Sequence, residues 1–174
     1  MPEVTLKVFH TQHYFPVPYS FPKPANGYDM WLGNGFYFWQ DFYFAKWWGM
    51  NKKCSPLYSN RYTIYSAELI FEDDEFIDTV FNQEDYYNFC EIIERFAEKY
   101  VTKFGKKPTL TKFNQFLESF KIWDSIKIIR FQDLPENDEH IAVSGFFYRK
   151  RIQIRVKAPE IITTFKVYQQ GLCM

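Results

Sequence analysis

Cysteine is scarce, and its spacing offers no cross-linking pattern: Cys54, Cys90 and Cys173 are far apart, odd in number and in no C-x-x-C arrangement. That argues against a disulfide framework or a structural zinc site and suggests a reducing compartment. Long apolar runs are missing as well. No stretch approaches the roughly 20 apolar residues of a membrane span, and the opening Met-Pro-Glu-Val-Thr-Leu-Lys carries no apolar h-region. The expectation is a soluble, cytoplasmic protein with no membrane partner. Net charge is also absent: 21 Lys and Arg balance 21 Asp and Glu, so no whole-protein field draws the chain to nucleic acid or membrane. Histidine is rare, and no metal site is expected. His10 and His13 are three apart on a strand and point to opposite faces, and no fourth ligand is spaced to join them with Cys54.

What the chain has in excess is aromatic side chains, 22% of its residues, from 20 Phe, 13 Tyr and 5 Trp. They bury large areas, and their flat faces suit stacking on a base or a nicotinamide ring. The 174 residues fit a single domain with one core. Val4, Leu6 and Val8 alternate with Thr5 and Lys7, predicting a strand that runs into His10. Pro16, Pro18, Pro22, Pro24 and Gly27 then exclude regular structure over 14–27. Gly33 and Gly35 turn into a strand-like aromatic run ending at Trp39. Asp41 reads as the N-cap of a short helix, Phe42 to Trp48, stopped by Gly49. Further strands are predicted at Arg61 to Leu69, Phe76 to Asp78, Ser125 to Phe131, Ala142 to Tyr148, Ile152 to Lys157 and Ile161 to Gln169. Helical spacing of Phe89, Ile92, Ile93, Phe96 and Tyr100 predicts an amphipathic helix over 84–100. A second, Thr111 to Phe120, should bury Phe113, Phe116, Leu117 and Phe120. Strands at both ends with helices between them indicate an α+β fold.

The charged residues are unevenly placed. Glu72, Asp73, Asp74 and Glu75 form an acidic run that reads as a solvated edge. Arg149, Lys150, Arg151, Arg155 and Lys157 crowd into nine residues, where a phosphate backbone could be tracked.

Three segments belong together: Phe9-His10-Thr11 at the end of a strand, Gly33-Asn34-Gly35-Phe36-Tyr37 with Ala45-Lys46-Trp47 in the following helix, and Ile152-Gln153-Ile154 on a late strand. In this order they resemble the ADP-ribosyltransferase fold of the His-Tyr-Glu type, the branch shared by diphtheria-toxin-like and poly(ADP-ribose)-polymerase-like enzymes. The resemblance spans nearly the whole chain in short pieces. It implies a split antiparallel sheet flanked by helices, with NAD as substrate. It also implies that His10 hydrogen-bonds the adenosine ribose, that Thr11 lies beside the cofactor and that Tyr37 stacks on the nicotinamide. Gly33 and Gly35 would let the backbone approach the dinucleotide, as residues with a Cβ could not, although Gly-x-Gly alone lacks the third glycine of the dinucleotide fingerprint.

The third position departs from that pattern, since Gln153 stands where the resemblance leads one to expect a catalytic Glu. Alternation puts Gln153, Arg155 and Lys157 on one strand face, toward a polar cleft. Glutamine can hold a ribose hydroxyl, but it cannot act as a general base. Either the acceptor needs little deprotonation, as a nucleobase nitrogen does, or another carboxylate substitutes, or the enzyme is slow or inactive; Glu160 and Glu68 are weak substitutes by position. The expected function is mono-ADP-ribosyl transfer from NAD by a toxin of a toxin-antitoxin or phage-defence system. Its acceptor would be RNA, DNA or protein, with Arg149, Lys150, Arg151 and Arg155 on the nucleic acid and an antitoxin protein as partner. An NAD glycohydrolase and a non-catalytic binding module are the alternatives.

Overall fold

The computed structural model describes residues 2–27, 30–133 and 150–173. Among these residues the centre is a seven-stranded sheet made of β1 (Glu3–His13), β2 (Phe36–Trp39), β3 (Arg61–Glu72), β4 (Phe76–Asp78), β5 (Ile128–Asp133), β6 (Arg151–Val156) and β7 (Ile162–Leu172). The order across the sheet is β4-β5-β6-β2-β1-β3-β7. All neighbours run antiparallel except β4 and β5, which are parallel, so the sheet is mixed. Three α-helices accompany it among the described residues: α1 (Phe42–Lys52), α2 (Gln83–Phe104) and α3 (Leu110–Ser119). The α+β expectation therefore holds. The predicted strand at Ala142 to Tyr148, and Arg149 beside it, lie outside the described residues.

Alternation in the strands gives the sheet two different coats. One face packs Val8, Phe38, Leu69, Ile154 and Val156 into a core. The other packs Phe9, Trp39 and Ile64 against Phe44 and Ala45 of α1. Phe96 and Tyr100 of α2 close a third cluster on Phe113, Phe116 and Leu117 of α3. Phe120 does not join the buried set as expected; it sits at the C-cap of α3, past the last helical turn, and is 48% exposed.

Asp41 caps α1 as predicted, its carboxylate accepting from Tyr43 N at 2.6 Å. The helix does not stop at Gly49, however, but continues to Lys52. Gly49 serves packing instead of termination: a Cβ there would collide with the ring of Tyr62, which is 1% exposed. Gly171 on β7 meets the hydroxyl end of the same ring. Gly171→Ala is therefore expected to cost about 2 kcal/mol, the usual penalty for overpacking. Gly49→Ala should cost less, because Ala regains about 1 kcal/mol of helix propensity. Denaturant unfolding of both variants checks the ranking, and a Gly171→Ala midpoint equal to wild type would show that Tyr62 relocates freely.

The cysteine expectation is overturned. Cys54 and Cys173 form a disulfide across a sequence separation of 119, their Cα atoms 5.9 Å apart. Strand pairing makes this possible: β7 runs back along β3, and Cys173 N donates to Asn60 O just before that strand begins. Cys90 is the free thiol. The inference of a reducing compartment rested on unpaired cysteines and loses that support. Among the described residues no helix is long and apolar enough to cross a membrane.

Candidate functional site

The strand order brings His10, Tyr37 and Gln153 onto the adjacent strands β1, β2 and β6, although 143 positions separate the first from the last. The register pairs Phe9 with Trp39 and Trp39 with Gln153. Residues opposed across a ladder share a face and successive residues alternate, so Tyr37, Trp39, Gln153 and Arg155 look to one side and His10 to the other. The sequence-derived trio is thus assembled in the backbone but divided between two faces.

His10 is buried on its side, its ring 5.5 Å from that of Phe38 and 6.1 Å from that of Phe165. Phe21, from the proline-rich loop, packs on Phe165 and on Phe36, so that loop covers this side of the sheet. His10 Nδ1 lies 2.8 Å from Tyr37 O and Nε2 lies 2.7 Å from the Gln12 side-chain nitrogen. A neutral ring satisfies both contacts: Nδ1–H donates to the carbonyl, and Nε2 accepts from the Gln12 amide. Burial lowers the His10 pKa to about 4, the bond to the Tyr37 carbonyl opposes this, and the charge of Lys53 adds to the lowering. Among the described residues β1 and β2 are registered at one pair, Phe9 with Trp39. The His10 imidazole ties β2 to β1 two residues away from it.

On the opposite face the Tyr37 hydroxyl donates to Gly33 O at 2.7 Å and accepts from Leu32 N at 3.2 Å. Burial pushes its pKa up to about 12, against the Leu32 N–H and the Arg155 charge, so it remains a phenol. Those bonds hold a turn that Gly33 makes at φ +75°. Gly35 is required for another reason: a Cβ would stand 2.8 Å from Val156 O and 3.0 Å from Arg155 Nε. The glycines thus seat the loop on β6. Thr11 Oγ1 donates to Ala45 O at 2.8 Å and fastens β1 to α1.

Gln153 has a partner that the sequence reading missed. Its Nε2 donates to Asp133 Oδ2 at 3.3 Å, and Arg151 Nη2 donates to the same oxygen at 2.8 Å. Asp133 is buried at the end of β5, opposite Arg151 in the register. The predicted strand ended at Phe131, two residues short; continuing its period-two pattern would have put Asp133 on the face of Phe131. Among the described residues, Asp133, and neither Glu160 nor Glu68, is the carboxylate beside Gln153. By holding the amide nitrogen, it fixes which way the amide oxygen can turn to accept a hydroxyl.

The basic cluster is not an exposed stripe. Arg151 is 3% exposed, paired with Asp133 and set 5.0 Å over the Trp47 ring. Arg155 is 2% exposed, its Nε and Nη2 donating to Asn34 O at 3.2 and 2.9 Å. Lys157 pairs with Asp124 at 3.0 Å. Lys150 is exposed, and Arg149 lies outside the described residues. Burying both arginines inside β6 leaves less positive surface than their spacing suggested. Compared with known protein families, curated proteins and solved structures, the chain shows no match in any of the three.

Proposed function

We propose that this chain is an NAD-dependent mono-ADP-ribosyltransferase. The observation that carries the reading is the juxtaposition of β1, β2 and β6, with the His10 imidazole bonded to the Tyr37 carbonyl. It supports a site in which Tyr37 stacks on the nicotinamide and Gln153 holds the adjoining ribose, with Thr11, Gly33 and Gly35 in the supporting backbone. His10 fixes the Tyr37 segment from the opposite face, through its bond to the Tyr37 carbonyl. In the reaction the bond from ribose C1′ to the nicotinamide nitrogen breaks, the nitrogen keeps the electron pair, and an acceptor atom bonds C1′. Gln153, oriented by Asp133, stabilises the sugar as positive charge develops on it. A nucleobase nitrogen of RNA or DNA suits a neutral amide, because it attacks without prior loss of a proton. An antitoxin protein is the partner this reading implies.

A non-catalytic binding module is the second reading, favoured by one observation: His10, the Tyr37 hydroxyl and Gln153 are each already hydrogen-bonded within the protein. Incubation with NAD, alone and with total RNA, DNA or protein, separates the two. Free nicotinamide with a mass increase on an acceptor supports transfer. Nicotinamide without a labelled acceptor supports glycohydrolase activity, and neither signal supports the binding module. For stacking, Tyr37→Ala is expected to weaken NAD binding roughly 10- to 100-fold, as loss of an aromatic platform does, whereas Tyr37→Phe keeps the ring and most of the affinity. Calorimetry with NAD measures both, and equal affinity for Tyr37→Ala and wild type would remove Tyr37 from the site.

A further inference from the structure

A pocket of about 300 Å³ opens beside β6, lined by Arg155, Lys157, Lys121, Glu118, Asp124 and Trp123 among others. This is at the small end of the range for small-molecule sites. Arg155 supplies the reason to think it is filled. Two of its donor groups serve Asn34 O, but Nη1 is buried with no hydrogen-bond partner among the described residues. Buried polar groups are nearly always satisfied, and an exception calls for a ligand, an ion or an ordered water. The surrounding charges favour an anion. Lys157 and Asp124 neutralise each other at 3.0 Å. Lys121 stands exposed at the end of α3, and Glu118 faces the same pocket, with no ion pair joining it to Arg155 among the described residues.

We propose that this pocket binds the phosphoryl group of a small phosphorylated molecule, with Arg155 Nη1 as its buried donor and Lys121 as a second cation at the rim. A phosphate monoester has three free oxygens, enough for both cations at once, and its monoanion carries one P–OH. That proton suits Glu118, which would repel an oxyanion without one. The site therefore discriminates phosphate, which keeps a proton near pH 6, from sulfate, which does not. This inference does not rest on NAD chemistry: loss of nicotinamide release would leave it standing, and its failure would leave the transferase reading intact.

The test titrates the full chain at pH 6 and constant ionic strength with inorganic phosphate, glycerol phosphate and sulfate, by calorimetry and by the ¹⁵N resonances of the arginine side chains. Saturable phosphate binding that shifts Arg155, with sulfate much weaker, is expected. Tighter binding of glycerol phosphate would identify an ester as the natural ligand, and tighter binding of inorganic phosphate the free ion. Lys121→Asn, which removes the charge and tolerates the positive φ of 56° at that position, should weaken phosphate roughly fivefold, as loss of one charge-assisted hydrogen bond does. Glu118→Gln should erase the preference over sulfate. Both positions are exposed, so these variants keep the fold. No saturation by about 10 mM phosphate, a Kd too weak to matter, overturns the proposal. So does equal binding of sulfate and phosphate, or affinity unaffected by Lys121→Asn.

Discussion

On the proposed transferase reading, Gln153→Ala is expected to slow nicotinamide release from NAD by roughly a hundredfold, the typical cost of removing one hydrogen-bonding group that acts in the transition state. NAD affinity should fall far less, because the interaction strengthens as the ribose becomes cationic. Asp133→Asn tests the same device from behind. Its amide can still accept through oxygen, but it no longer carries the charge that holds Arg151 and the Gln153 amide together. Turnover should drop while NAD affinity stays near wild type, and thermal unfolding separates this from simple destabilisation of the buried pair. Gln153→Glu is informative in another way. The introduced carboxylate can act as the general base that the Gln153 amide cannot, so hydrolysis of NAD by water should rise. Measured single-turnover rates decide the matter: Gln153→Ala at wild-type speed would return Gln153 to an ordinary polar strand residue.

Acidification from pH 7 to pH 4 is expected to remove about 3 kcal/mol of stability through His10 alone. Its pKa falls from 6.5 to about 4 on folding, and each unit corresponds to about 1.36 kcal/mol. Between those values the unfolded chain binds a proton that the folded protein refuses, so stability rises with pH across that window. The contribution is complete above pH 6.5, is lost progressively as pH falls, and stops changing below pH 4. The cause is burial: a protonated ring would have to place a charge between Phe38 and Phe165. His10→Gln keeps a neutral hydrogen-bonding side chain and should flatten the dependence. Denaturant unfolding of wild type and variant at pH 7, 5.5 and 4 measures the difference. Parallel curves for the two proteins would show that His10 titrates normally in the folded state.

Much of the fold was legible because its signals are local. Alternation marked β1, β-branched and aromatic residues marked β3, helical spacing marked α2 and α3, and Asp41 before an aromatic run marked the start of α1. Where local rules failed, a distant residue had intervened. Gly49 has the propensity of a helix stop, yet Tyr62 occupies the space beside it, and α1 runs on to Lys52. Cys54 and Cys173 looked unrelated until β7 paired with β3.

The candidate site divides in the same way. The sequence by itself determined which segments are the candidates, because His10, Tyr37 and Gln153 stand in short contexts that resemble a known pattern, and each context is a matter of neighbours in the chain. Only the tertiary structure decided that His10 faces away from Gln153, that Asp133 lies beside Gln153, and that Arg151 and Arg155 are buried instead of displayed. Which face a strand residue takes, and what lies opposite it, depends on register with strands far away in sequence. A shift of one residue in that register reverses every side chain, and no local pattern in β6 specifies it.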